Sequence, residues 1–203
     1  MGSAAFERFA GWSAIVAGVG GLGYSAAFVT YLRNGSTGAA ETASLLLLLG
    51  GLLTIVVMLG AYERVRGTDA SFASLALVFG VVSGAGTAIH GAFDLANFIN
   101  PPATPAGDLP NAVDPRGLLT FGMSAIAILI VSWLAIRGGR LPTRLGQLGI
   151  LGAALLVVVY LGRLIVLNPK SPGLLTAAVL SGFLLVPAWY VWLGVELKRP
   201  PPA

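Results

Sequence analysis

Six stretches of this chain run nearly free of charge, at residues 9–32, 42–62, 70–93, 117–136, 145–162 and 171–195. A helix crosses a hydrocarbon layer about 30 Å thick with roughly 20 mainly apolar residues. Each stretch meets that need, the fifth by running on through Arg163 to Leu167 with the arginine reaching toward the headgroups. None alternates polar and apolar residues, as the wall of a transmembrane barrel must. The pattern predicts an all-α polytopic membrane helix bundle of six transmembrane helices, forming a single domain over residues 1–203.

Composition points to the same solvent. Charged residues make up 10% of the chain and apolar residues 56%, whereas a soluble domain carries about a quarter charged residues. A chain this short cannot bury so much apolar surface in a water-facing fold. Cysteine is absent, which excludes disulfides, thiolate metal sites and a cysteine nucleophile. In a soluble protein a net charge of +4 would suggest nucleic acid. Here the basic residues sit in short loops between apolar spans, so the lipid bilayer is the expected partner and nucleic acid is not.

Those loops set an orientation. With the N-terminus inside, the cytoplasm receives Arg8, Arg64, Arg66, Arg137, Arg140, Arg144, Lys198 and Arg199. The opposite face receives only Arg33, Arg116, Arg163 and Lys170. Basic residues in short loops favour the cytoplasmic side, so both termini are expected there. The first apolar run lacks a separate small-residue cleavage site and is expected to be retained as a span. The external connection, residues 99–116, contains Pro101, Pro102, Pro105, Pro110 and Pro115. These exclude continuous helix and favour an extended linker over a lid.

Glycine is abundant, at 28 residues. Helices in lipid associate through small residues that let backbones approach. Gly80 and Gly84 form a G-x-x-x-G pair in the third span, and Gly146, Gly149 and Gly152 form a small-residue edge on the fifth. Such faces serve either another span or another subunit, so a homo-oligomer or a membrane-protein partner is one expectation. Gly18, Gly20 and Gly23 match G-x-G-x-x-G in form only, because a dinucleotide site needs a strand before the turn. The segment from Leu49 to Gly60 also aligns without gaps on that from Leu151 to Gly162. One reading is an inverted three-plus-three repeat of the kind found in transporters; the other, slightly preferred, is shared composition.

Ionisable groups inside lipid are costly and tend to mark function. His90, Asp94 and Asn97 fall at i, i+4 and i+7 on one helical face near the outer boundary. Arg163 reaches a similar depth on the fifth span, making these four the ligand-binding or gating candidates. Asp94 could orient the imidazole in a proton-relay pair. The structural alternative has Asp94 capping the external loop and pairing with Arg163. One histidine and one carboxylate do not make a metal site, which wants three or four ligands. No metal or other cofactor is therefore expected.

Pro187 interrupts the sixth span and frees the carbonyl four residues earlier, at Phe183, predicting a kink. Trp12, Trp133, Trp189, Tyr190 and Trp192 lie near span ends and read as an interfacial belt. No G-x-S-x-G elbow, H-E-x-x-H or P-loop occurs, so an enzyme is the weaker class and no catalytic residue is assigned.

The turn Gly139-Arg140-Leu141-Pro142-Thr143-Arg144-Leu145-Gly146, with Arg8-Phe9-Ala10-Gly11-Trp12 at the first span, resembles a family of uncharacterised bacterial six-helix membrane proteins. In that family a G-x-L-P-x-x-L-G turn likewise joins spans four and five. The resemblance implies a bacterial inner-membrane location and carries no activity. Two functional readings follow from the residues. The first is a protein that binds or transports a small or lipophilic molecule through an opening near His90, Asp94 and Arg163. The second is a structural or regulatory membrane subunit that associates through its glycine-rich faces.

Overall fold

The structure, a computed structural model, describes residues 4–102, 117–165 and 172–200, and of 163–165 the backbone alone. Six helices account for nearly all of these: α1 (Ala4–Asn34), α2 (Thr37–Val65), α3 (Ala70–Ile99), α4 (Leu118–Gly138), α5 (Thr143–Ile165) and α6 (Pro172–Lys198). All six are long and apolar enough to cross a membrane, and no strand occurs among the described residues.

Several helices outrun the apolar stretches that announce them. α3 continues to Ile99, beyond the end of its apolar run at Phe93. Apolarity reports which residues meet lipid tails, but helical hydrogen bonding persists until a residue stops it. Gly35 and Gly139 do so, both left-handed at φ 65°, just past α1 and α4. Starts are equally local. The Ser36 hydroxyl accepts from the Ala39 amide at 3.3 Å, and the Asp69 carboxylate accepts from Ser71 and Phe72 at 3.1 and 3.2 Å.

Successive helices pack side by side, and α6 returns to lie along α1, so the six close into a ring with both chain ends at one face. α2 also touches α4 and α6. The apolar core gathers in the half nearest the termini. Ala10 and Ala14 of α1, Val57 and Met58 of α2, Ile128 and Leu134 of α4, and Trp189 and Leu193 of α6 are all buried there. Outside this core Val16, Leu52, Ile89, Leu151 and Leu184 remain at least half exposed. Such surface would cost about 25 cal/mol per Å² in water; in lipid it costs nothing, which makes this a multi-pass membrane protein.

Glycine sets how closely the helices approach. A Cβ on Gly80 would strike the Met58 side chain, and one on Gly84 would lie 2.8 Å from the Gly51 carbonyl oxygen. Both glycines therefore face α2 of the same chain. A Cβ on Gly146 would come within 2.6 Å of the Ser132 carbonyl oxygen and Ile136 of α4. A Cβ on Gly149 would strike the Ser132 hydroxyl and the Trp189 indole, while one on Gly152 would make ordinary contact with Leu185 and Val186 at 3.7 Å.

Glycines that the repeat would pair meet different helices. Gly60 faces Ala10 of α1, which the repeat would pair with α4, yet its counterpart Gly162 faces Leu174 of α6. Gly80 lies on α2, but its counterpart Gly182 lies on Ser25 of α1.

Two further expectations are corrected. Trp189 and Tyr190 do not belong to an interfacial belt, being 1% and 8% exposed. Both lie near the end of the span, but their face of α6 turns inward onto α2 and α5. Trp12 fits the belt better: it is 56% exposed, and the Lys198 ammonium sits 3.4 Å above its ring. The effect of Pro187 is also displaced by one residue. Before it, Ser181–Leu185 form a π-helical turn in which the Val186 amide bonds the Ser181 carbonyl. In that i+5 register the donor missing at Pro187 orphans the Gly182 carbonyl, not that of Phe183. The Ser25 hydroxyl of α1 donates to it at 3.0 Å.

Candidate functional site

At the end of the bundle away from the termini, α3 carries His90 one turn before Asp94. His90 Nε2 lies 3.2 Å from Asp94 Oδ2. Its other ring nitrogen, Nδ1, lies 3.1 Å from the Thr120 hydroxyl. Thr120 belongs to the π-helical first turn of α4, Leu118–Met123, where the widened helix brings its side chain to α3. The imidazole is thus fixed at both nitrogens and ties α3 to α4, with its side chain 13% exposed. Asn97 lies one further turn along α3, half-buried, with no hydrogen bond to a described residue. The side chain of Arg163 lies outside the described residues, as does the linker from residue 103 to 116.

Smaller polar contacts run through the middle. The Thr54 hydroxyl of α2 meets the Tyr190 hydroxyl of α6 at 3.3 Å, and Ser83 of α3 is hydrogen-bonded to Ser124 of α4. Each pair satisfies hydroxyls that lipid could not. Ser132 Oγ and Trp189 Nε1, on either side of Gly149, have no partner among the described residues. No three His, Cys, Asp or Glu side chains converge among those residues.

The end that bears the termini is built differently. Arg64, on the last turn of α2, is 5% exposed. One terminal nitrogen, Nη2, donates to Glu7 of α1 at 2.6 Å and to the carbonyls of Leu197 and Arg199 at 3.1 and 2.9 Å. A single guanidinium therefore joins α1, α2 and the end of α6. Its Nε is buried without a partner among the described residues. Sequence reasoning counted Arg64 as a loop charge because the apolar run stops at Tyr62. Its burial follows from α2 continuing to Val65 and from two other chain segments folding over it, which no local signal reports.

Beside Arg64 opens a cavity of about 450 Å³, lined by Gly139, Arg140, Leu141, Pro142 and Thr143 of the α4–α5 turn and by Glu196, Arg199 and Pro200 of α6. Glu196 is held by Arg199 at 2.8 Å and by the Trp192 indole at 3.2 Å. A second hollow of about 310 Å³, lined by Val16, Gly20, Leu49 and Leu53 among others, is apolar and faces outward between α1 and α2. Neither borders His90, so the candidate residues of α3 and the larger cavity lie at opposite ends.

The fold and its polar groups define a six-helix membrane bundle with an arginine-lined cavity at its terminal face. No family model, curated protein or solved structure matches the chain.

Proposed function

We propose that this chain is a multi-pass protein of the bacterial inner membrane, with both termini cytoplasmic, that binds a small or lipophilic molecule at its cytoplasmic mouth. The observation that carries the reading is the cavity beside Arg64, whose volume of about 450 Å³ suits a small ligand. The eight basic residues at that end support the cytoplasmic assignment. The turn Gly139–Gly146, on which the bacterial resemblance rests, forms one wall. Thr143→Trp tests the reading, because Thr143 is exposed and lines the cavity. A small molecule should copurify with the natural protein in mild detergent and be lost from this variant. A preparation that carries none, and melts unchanged across a metabolite panel, refutes it.

A second reading rests on His90, whose two hydrogen bonds join α3 to α4 at the other end. Ligand contact at the imidazole would then loosen or tighten that end and gate access to the bundle. Flux into proteoliposomes should fall when His90→Ala and Asp94→Asn are combined. Flux that survives both changes removes these residues from any gate.

A further inference from the structure

We propose that the hollow between α1 and α2 is a lipid site, which holds one acyl chain of an anionic glycerophospholipid from the leaflet nearest the chain ends. It lies on the outside of the bundle, apart from the cavity beside Arg64, and does not depend on what that cavity binds.

The spacing of the two backbones makes the hollow. A Cβ on Gly60 would strike Ala10, and one on Gly23 would lie 3.1 Å from Leu46, so α1 and α2 meet on either side of it. Between these points they leave about 310 Å³, walled by Val16, Leu49, Leu52 and Leu53. Gly20 and Gly50 lie in the same hollow, and a methyl group on either would meet nothing within 4 Å. Gly11, Gly18, Gly51 and Gly60 each hold a helix contact, whereas these two hold none. Glycine weakens a helix relative to alanine. At Gly20 and Gly50 it brings no packing in return, and what it leaves is space.

Depth selects an acyl chain. Trp12 is 56% exposed and stands at the membrane interface. Val16 follows one turn on, and Gly20 lies about 12 Å along the axis from Trp12. Half of the hydrocarbon layer is about 15 Å thick, so the hollow runs from just below the interface toward the bilayer centre. Its walls are aliphatic, and Val16, Leu49 and Leu52 are about half exposed. A methylene chain lying between two helices touches protein on several sides, where a flat helix face offers one.

Charge selects the headgroup. Trp12 and Val16 share the lipid-facing side of α1, and the Lys198 ammonium sits 3.4 Å above the Trp12 ring. Neither Lys198 nor the exposed Arg8 has an ion pair among the described residues. The carboxylates at this end are engaged, Glu7 by Arg64, Glu63 by Arg66 and Glu196 by Arg199. A phosphodiester at the level of Trp12 therefore meets two uncompensated cations, with its acyl chain a turn deeper. A second copy of the chain fits less well. Two α1–α2 faces related by an axis along the membrane normal would set Lys198 and Arg8 of one against those of the other.

The test is native mass spectrometry of the full chain released from maltoside micelles, with dioleoyl phosphatidylglycerol or phosphatidylcholine added at equal concentration. Phosphatidylglycerol should be retained as a single lipid, roughly fivefold or more tighter than phosphatidylcholine, the effect of one basic residue near an anionic group. Since a Cβ at either glycine clears its neighbours, Gly20→Leu combined with Gly50→Leu should fold while filling the hollow. That protein should bind both lipids about tenfold more weakly, as losing the contacts of a few methylenes requires. Arg8→Gln combined with Lys198→Gln should leave phosphatidylcholine binding unchanged and erase the preference for phosphatidylglycerol. Equal binding of the two lipids by the natural protein, or retention unchanged in the filled variant, overturns the site. So does a dimer that carries no lipid and dissociates in the filled variant, which assigns the hollow to a second copy.

Discussion

Ser25 and Pro187 show how one residue's defect becomes another's contact. Proline removes an amide, the π-helical turn shifts the vacancy to Gly182, and a hydroxyl on α1 fills it at 3.0 Å. Ser25→Ala should destabilise the bundle by about 0.5–1.5 kcal/mol, the net worth of such a bond. Pro187→Ala returns an amide to α6, so in that background the serine should matter less. Reversible unfolding of the four proteins in micelles measures the coupling, and an equal Ser25→Ala cost in both backgrounds would break the link. The sequence displayed the proline and its need for a donor. It could not name Ser25, because the partner lies 157 residues away along the chain. His90 teaches the same lesson: Asp94 was visible at i+4, whereas Thr120 required α4 to be placed against α3.

Along each helix, glycine divides into residues that hold a contact and residues that do not. On α2, a methyl group added at Gly50 would meet nothing within 4 Å, while one added at its neighbour Gly51 would strike the Ala88 amide and lie 2.6 Å from the Gly84 carbonyl oxygen. Gly51→Ala should force α2 from α3 and cost about 1–3 kcal/mol, as overpacking does. Gly50→Ala should be neutral or add about 0.5–1 kcal/mol through helix propensity. Thermal melting of the two variants distinguishes them, and equal stability would mean that the α2–α3 contact is looser than described. The G-x-x-x-G spacing at Gly80 and Gly84 was legible from the chain, but not the identity of the covering surface. That surface is Met58, Ile55 and Gly51 of α2, so a partner protein would have to use other faces.

For the whole molecule, the charge asymmetry and the ring topology make orientation an experimental matter. The chain has no cysteine, so single thiols report cleanly. Gly38 and Gly67 are exposed at opposite ends with open space around them. An impermeant maleimide added to intact spheroplasts should label Gly38→Cys and spare Gly67→Cys until lysis. The reverse pattern would turn the arginine-lined cavity outward and exclude a cytoplasmic ligand.

The six helices were legible because lipid imposes its demand locally: each span must be apolar over its own length and satisfy its own backbone. Helix starts at Ser36 and Asp69 and stops at Gly35 and Gly139 are likewise read within a turn. What the tertiary structure alone decided is which polar groups meet. Arg64 looked like a topological charge until α1 and α6 closed over it, and Trp189 looked like a belt residue until its face turned inward. Local apolarity says that a residue can lie in a membrane, but the neighbour it meets there depends on helices brought together from distant parts of the chain.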